Sequence, residues 1–359
     1  MLWLSAQVGK PILHLTTEDY RDHHLSPLVA RHGSAEPLNG EIFNRLIAKV
    51  RGKSKLPKGK RIIVFSPHPD DDVISMGGIL RKLHENGNAI TVAYQTSGNI
   101  AVFDHEVRRY LDFIRRADAV MGVCTADVEG ASRRIEEAMD AKAPGDVDIP
   151  EVQNLKRVIR ETEAVSGIET IGMKSDQARF MDLPFYQTGK VKKDPITDAD
   201  VDITLALLDE LQPEIVFAAG DLSDPHGTHR MCLQAVTGAL ARYQGPAPEF
   251  WLYRGAWQEW PVGEADVLVP MSEYELKVKK MAIFKHQSQK DRAPFPGPDE
   301  REFWQRVEDR NRGTAAMLAG LGLPAYYAME AYVVQRDGRR IVNPTVPTSA
   351  LAGSGSGES

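Results

Sequence analysis

Apolar residues along this chain alternate between two spacings, and the alternation predicts an order of strands and helices. Arg61-Ile-Ile-Val-Phe-Ser is a short, β-branched run that reads as a buried strand. Residues 73–86 carry helical spacing and stop at Asn86-Gly87. Ala89-Ile-Thr-Val-Ala-Tyr is a second strand, closed by Ser97-Gly98-Asn99. Strand, helix, strand is a βαβ unit, which implies parallel pairing and a right-handed crossover. Downstream, helices are expected over about 104–121, 132–139, 150–165, 199–211, 231–243, 272–287 and 300–318. Strands are expected at 168–173, 178–183, 213–219, 250–253 and 265–270. The alternation predicts an α/β three-layer sandwich, Rossmann-like, with a mostly parallel sheet and a helical insertion at about 103–156. Residues 1–60 read as a helical lead-in, with one helix at 41–50 and a basic Gly/Pro-containing linker at 52–60. The main domain is expected over 61–345 and a Gly/Ser-rich flexible tail over 346–359.

Composition narrows the class without naming it. Hydrophobic residues make up 42% of the 359 and charged residues 26%, the balance of an ordinary globular protein. The net charge of −6 argues against a nucleic-acid partner, since no cationic excess exists to neutralise phosphates. No apolar run is long enough to span a bilayer, and the N-terminus lacks the basic start of a signal peptide. Cys124 and Cys232 are two isolated thiols, expected reduced and buried. A cytoplasmic bacterial location follows as the expectation.

Two segments concentrate chemistry, and each directly follows an expected strand. Pro67-His68-Pro69-Asp70-Asp71-Asp72 ends the first strand. Three adjacent carboxylates raise one another's pKa, a cost that a divalent cation removes; the bland alternative is an acidic helix cap. Asp221-Leu-Ser-Asp224-Pro225-His226-Gly227-Thr228-His229 follows the 213–219 strand. Each histidine taken singly is more simply a satisfied surface or core residue. Both loops at strand C-termini, where open α/β sheets bind ligands, favour a shared site. Two histidines and one carboxylate would leave a fourth position open, the catalytic arrangement of zinc.

The order of these segments resembles the PIG-L/LmbE deacetylase family. His68-Pro-Asp-Asp with a downstream His226-x-x-His229 carries the resemblance. Thr96-Ser97-Gly98, Arg160-Glu-Thr-Glu163 with Gly172 beyond it, and Lys280-Met-Ala-Ile-Phe-Lys-His286-Gln-Ser288-Gln289 extend it over about 61–290. The resemblance implies Zn²⁺, with Fe²⁺ or another divalent ion as alternatives, held by His68, Asp71 and His229. It implies Asp70 as general base, and His226 as the oxyanion stabiliser or the proton donor to the leaving amine. Arg160 would contact the substrate, with Asp72 and Asp224 (or Asp221) behind the ligands. The activity implied is removal of acetate from an N-acetylated amino sugar of the GlcNAc type. The chain also resembles a bacterial branch whose module is sometimes fused behind a glucosamine-6-phosphate deaminase-like domain. Sixty leading residues leave no room for that domain, so they are expected to be its connector.

Two departures from the family pattern bear on the chemistry. Asp72 stands where the family usually has Glu, and Thr228 where it usually has Asp. Thr228 cannot supply a carboxylate to its neighbouring histidine; Asp224 or Asp221 is the substitute, unless Asp224-Pro225 only makes a turn. Alternative readings are an amidase on a larger acyl group or a sugar–peptide amide, and a catalytically silent sugar-binding module. The insertion is read first as a solvated helical addition, and otherwise as a lid, specificity wall or homo-oligomer contact. Trp251, Trp257 and Trp260 are expected in the core rather than on a sugar ring.

Overall fold

The computed structural model describes residues 1–122, 126–143, 145–190, 192–220, 227–254, 258–290 and 301–335. Helices α1 (Leu2–Val8), α2 (Thr17–Asp22), α3 (Ser26–Ala30) and α4 (Ala35–Ala48) lead in. Then come β1 (Arg61–Ser66), α5 (Asp71–Glu85), β2 (Ala89–Tyr94), α6 (Asp104–Met121), α7 (Ala126–Ala141) and α8 (Pro150–Thr170). The order continues with β3 (Ala178–Phe180), α9 (Asp198–Leu211), β4 (Ile215–Ala219), α10 (Thr228–Arg242), β5 (Glu249–Tyr253) and β6 (Val267–Met271). It closes with α11 (Glu273–Ile283), α12 (Phe303–Gly320) and β7 (Ala328–Gln335).

The strands form one seven-stranded sheet in the order β3-β2-β1-β4-β5-β7-β6. The first five run parallel, and β7 pairs antiparallel with both β5 and β6. Side chains alternate across the sheet as a period of two demands. Ile62 and Val64 of β1 and Ile215 and Phe217 of β4 face one layer, shared with Val73, Met76, Ile79 and Leu83 of α5. Ile63, Phe65, Val216 and Ala218 face the other layer, with Leu208 of α9 and Val236 of α10. Three layers are the result, as the sequence predicts. The sheet's chain order reverses between β1 and β4, so a crevice opens there beyond their carboxyl ends.

Three sequence expectations need correction. Residues 168–173 are not a strand: α8 runs on through Thr170, and Ala164, Gly167, Ile168 and Ile171 are buried at helical spacing. β-branched residues there favour extension only weakly, and packing of α8 on its neighbours overrides that preference. Residues 328–335, to which the sequence reading assigns no element, form a buried strand inside the sheet. The lead-in is richer than one helix. Leu4, Leu15, Tyr20, Val29, Ala35 and Leu38 make a small core of their own, and Val50 forms a bridge with Leu268 of β6.

The insertion forms α6 and α7, which pack with the start of α8 around Val107, Leu111, Ile135, Met139 and Val152. Lys142 and Lys156 are each paired with both Asp104 and Asp148, within 2.7 Å. Trp251 and Trp260 are buried. Cys232 is a buried free thiol. Trp257, Cys124 and the 346–359 tail lie outside the described residues. No helix among the described residues is long and apolar enough to cross a membrane.

Candidate metal centre

The first loop is shaped by its own side chains. Ser66, the last residue of β1, donates through Oγ to the His68 carbonyl at 2.7 Å and accepts from the Asp72 N–H at 3.1 Å. That clamp starts α5 at Asp71. Asp70 occupies the N-cap position, yet its carboxylate makes no capping bond. It is paired instead with Arg160 of α8, whose Nη2 lies 3.0 Å from its Oδ2. The simple reading of Asp70 as a helix cap therefore fails, and the carboxylate is turned towards Arg160 of α8.

The loop after β2 holds the same structure from the side. Thr96 donates through Oγ1 to the Pro67 carbonyl at 2.7 Å and through its N–H at 3.1 Å. Gly98 follows with a left-handed φ of 63°. A Cβ there would come within 2.9 Å of Pro69 Cδ and 3.0 Å of Arg160 Nε, so only glycine lets the three segments meet. These contacts give a physical basis to Thr96-Ser97-Gly98 that spacing alone does not supply.

His68, Asp71 and His229 converge. His229 is the second residue of α10, which starts after Gly227, itself at a left-handed φ of 70°. Asp71 Oδ2 lies 3.0 Å from His68 Nδ1, 3.1 Å from His229 Nε2 and 2.9 Å from the His68 N–H. The two imidazole rings sit 5.3 Å apart, and all three candidate ligand atoms fall within 4.8 Å of one another. Ligands at zinc-like bond lengths lie about 3.3 Å apart in a tetrahedron, so this donor set fits a divalent cation with small adjustments. Burial pushes the Asp71 carboxyl up, but the His229 and His68 imidazoles overcome it and hold it well below the carboxylate range.

Around this cluster the polar groups are buried and ordered. Asp72 does not hydrogen-bond to the three converging residues. It accepts from Tyr94 Oη at 3.1 Å, and burial, with Asp70 nearby, pushes it up to about 7. Burial works against the charge on Arg160, while Asp70 and Glu163 outweigh it. Glu163 accepts from the Ser288 N–H and Oγ, both at 2.7 Å, so the Arg160–Glu163 and His286–Gln289 segments form one unit. His286 is 3% exposed and shares with Asp70 a cavity of about 20 Å³, room for a water molecule. Sequence reading missed Tyr186, whose ring packs edge-on to His68 at 6.2 Å with Lys193 over its face. Tyr186 follows Phe185 after Pro184, and that pair of aromatics has no spacing that would reveal a role at the site. His226, Asp221 and Asp224 lie outside the described residues. Thr228 is buried at the start of α10.

Comparison with known proteins shows what the chain is similar to. A Bacteroides thetaiotaomicron protein described as glucosamine-6-phosphate deaminase-like is 45% identical over 355 residues, or 93% of this chain. The chain spans 53% of that relative's length, about half of it. A diacetylchitobiose deacetylase from Thermococcus kodakarensis is 27% identical over 121 residues, covering 33% of this chain and 43% of that protein. The solved N,N'-diacetylchitobiose deacetylase of Pyrococcus horikoshii shares the fold, with a TM-score of 0.50 at 16% identity over 77% of this chain and 84% of its own. Residues 63–240 match the family described as PIG-L: GlcNAc-PI de-N-acetylase, and this matched part of the chain is a PIG-L family domain.

Proposed function

We propose that this protein is a metal-dependent N-deacetylase that hydrolyses the acetamide of a GlcNAc-type amino sugar, releasing acetate and the free amine. The observation that carries the reading is one carboxylate, Asp71, shared by imidazoles from two separate strand ends, with Asp70 beside it. His68, Asp71 and His229 are the ion's ligands, and Zn²⁺ is the ion this donor set suits best. A cation held there supplies Lewis-acid polarisation and a water nucleophile at neutral pH.

The chain's own residues do the rest. Asp70 takes the proton from the attacking water, a contribution worth about 10²–10⁴-fold in rate. Arg160 fixes one of its oxygens at 3.0 Å, so the base arrives oriented. His226 steadies the oxyanion or returns the proton to the leaving amine. Arg160 also stands where a sugar hydroxyl would approach.

The test measures acetate and free amine across a panel of N-acetylated sugars, with metal content determined on the same preparation. Activity should vanish with chelator and return with Zn²⁺. Asp70→Asn should lose about 10²–10⁴-fold in kcat while keeping its metal. An active Asp70→Ala would end the base assignment, and no acetate from any sugar would end the reading itself.

A further inference from the structure

Asp70 is approached from two sides. On one, Arg160 of α8 places Nη2 3.0 Å from its Oδ2. On the other lies the cavity of about 20 Å³ that Asp70 shares with His286. A single contact leaves a carboxylate free to turn about its last torsion, which is broad in aspartate. What stands in the cavity therefore decides whether the plane of Asp70 is fixed.

The lining specifies the occupant. It is apolar at Ile74, Ile283 and Phe303 and polar at Asp70, His286 and Gln289. Lys290 and Glu302 also line it but are exposed, so bulk solvent satisfies them. A buried water needs roughly 10–15 Å³ and two to four polar partners, so the space suits one water and is too small for a sugar or an acetate. His286 makes no direct hydrogen bond to Asp70. It is buried, and neither ring nitrogen has a partner among the described residues. An unpaired buried imidazole is costly, and a water between the two residues removes that cost.

We infer that one water, held between His286 and Asp70, fixes the plane of the base, which makes His286 a positioning residue that acts through Asp70. The donors and acceptors match. Burial holds the His286 pKa down at about 4, so at neutral pH the ring is uncharged and carries one N–H. That N–H donates to the water. The water's own protons go to Asp70 and to Gln289 Oε1. Gln289 has its amide NH₂ committed to the Ala101 carbonyl and to Ser288 Oγ, both at 3.0 Å, which leaves its oxygen for the cavity.

One helix sets both arms of this support. Arg160 and Glu163 stand one turn apart on α8. Glu163 accepts from Ser288, two residues beyond His286. Gly167, a further turn along, lies so close that a Cβ there would come 2.9 Å from His286 Nε2. The stretch of α8 that presents the guanidinium to Asp70 thus also seats the imidazole.

The catalytic role of the water rests on the reading of Asp70 as the base of a deacetylase; the water site does not. A crystal structure of the unaltered protein, at a resolution that shows ordered water, should place one within about 3.2 Å of a His286 nitrogen and of an Asp70 oxygen. His286→Leu, similar in volume but unable to donate, should lower kcat about tenfold with KM and bound metal unchanged. His286→Gln and His286→Asn each bring an amide N–H near one ring nitrogen, and the one that matches the nitrogen facing the cavity should restore most of kcat. A purely structural role for the ring would instead lower the melting temperature and leave both amide variants as impaired as His286→Leu. No water between the two residues, full kcat in His286→Leu, or rescue by neither amide would overturn the inference and leave the deacetylase standing. If no sugar releases acetate, the deacetylase falls, and the crystal structure by itself still decides the bridge.

Discussion

Asp70 and Asp71 are neighbours in sequence with opposite surroundings. Asp71 faces two imidazoles and Asp70 faces a guanidinium, so the tertiary contacts set the proposed ligand apart from the proposed base. Each residue type was legible in the sequence, and the division was not, because Arg160 arrives from ninety residues away. His286 shows the converse. It is buried, and neither ring nitrogen has a hydrogen-bond partner among the described residues. Burial, the dominant cause, lowers its pKa from 6.5 to about 4. In the unfolded chain the imidazole takes up a proton near pH 6.5, whereas the folded one resists until about 4. Between those values the unfolded state binds more protons, so stability falls as pH drops through this window, by about 3 kcal/mol in the limit. Denaturant unfolding at pH 7 and pH 4.5 should show His286→Gln losing less stability on acidification than the unaltered protein. Equal losses in both would mean His286 carries no such linkage.

At the scale of elements, α5 is the part that must not move, since it carries Asp71 on its first turn. Its middle is anchored by a buried ion. Glu330 of β7 accepts from the Gly78 and Ile79 N–H groups at 2.9 and 2.8 Å and from Lys279 Nζ at 2.7 Å. Lys279, on α11, also donates to Asn311 of α12 at 3.0 Å. One charge pair therefore fastens three helices to the sheet. Lys279→Met should cost about 3–5 kcal/mol, because it leaves a buried carboxylate without its cation. Adding Glu330→Gln should recover much of that loss in a double-mutant cycle. Strictly additive losses in urea unfolding would show that the pair is not coupled. No sequence pattern announced this anchor, and Glu330 interrupts the apolar run that would have marked β7.

Across the whole molecule, the site is a joint between two βα units. His68 and Asp71 belong to β1 and α5, and His229 to α10 after β4. A cation binding only when those units are docked stabilises the folded state by mass action, about 2.7 kcal/mol at one hundred times its dissociation constant. Thermal unfolding with added Zn²⁺ should therefore shift upward, and Asp71→Asn should abolish the shift. A shift retained in that variant would place the ion elsewhere. The sheet order makes this joint possible, because the order of strand addition reverses between the parallel neighbours β1 and β4.

The sequence by itself determined the strand–helix alternation, the continuous burial of the β-branched strands and the two loops that carry the candidate chemistry. These are local properties, set by side-chain spacing within about ten residues of each strand end. It also carried Thr96-Ser97-Gly98 and Arg160-x-x-Glu163 as patterns without reasons. Tertiary structure supplied the reasons: a hydroxyl holding the Pro67 carbonyl, and a carboxylate holding Ser288. It alone decided that 168–173 stays helical and that 328–335 enters the sheet. Those outcomes depend on which surfaces meet across long stretches of chain, and no local pattern encodes the meeting.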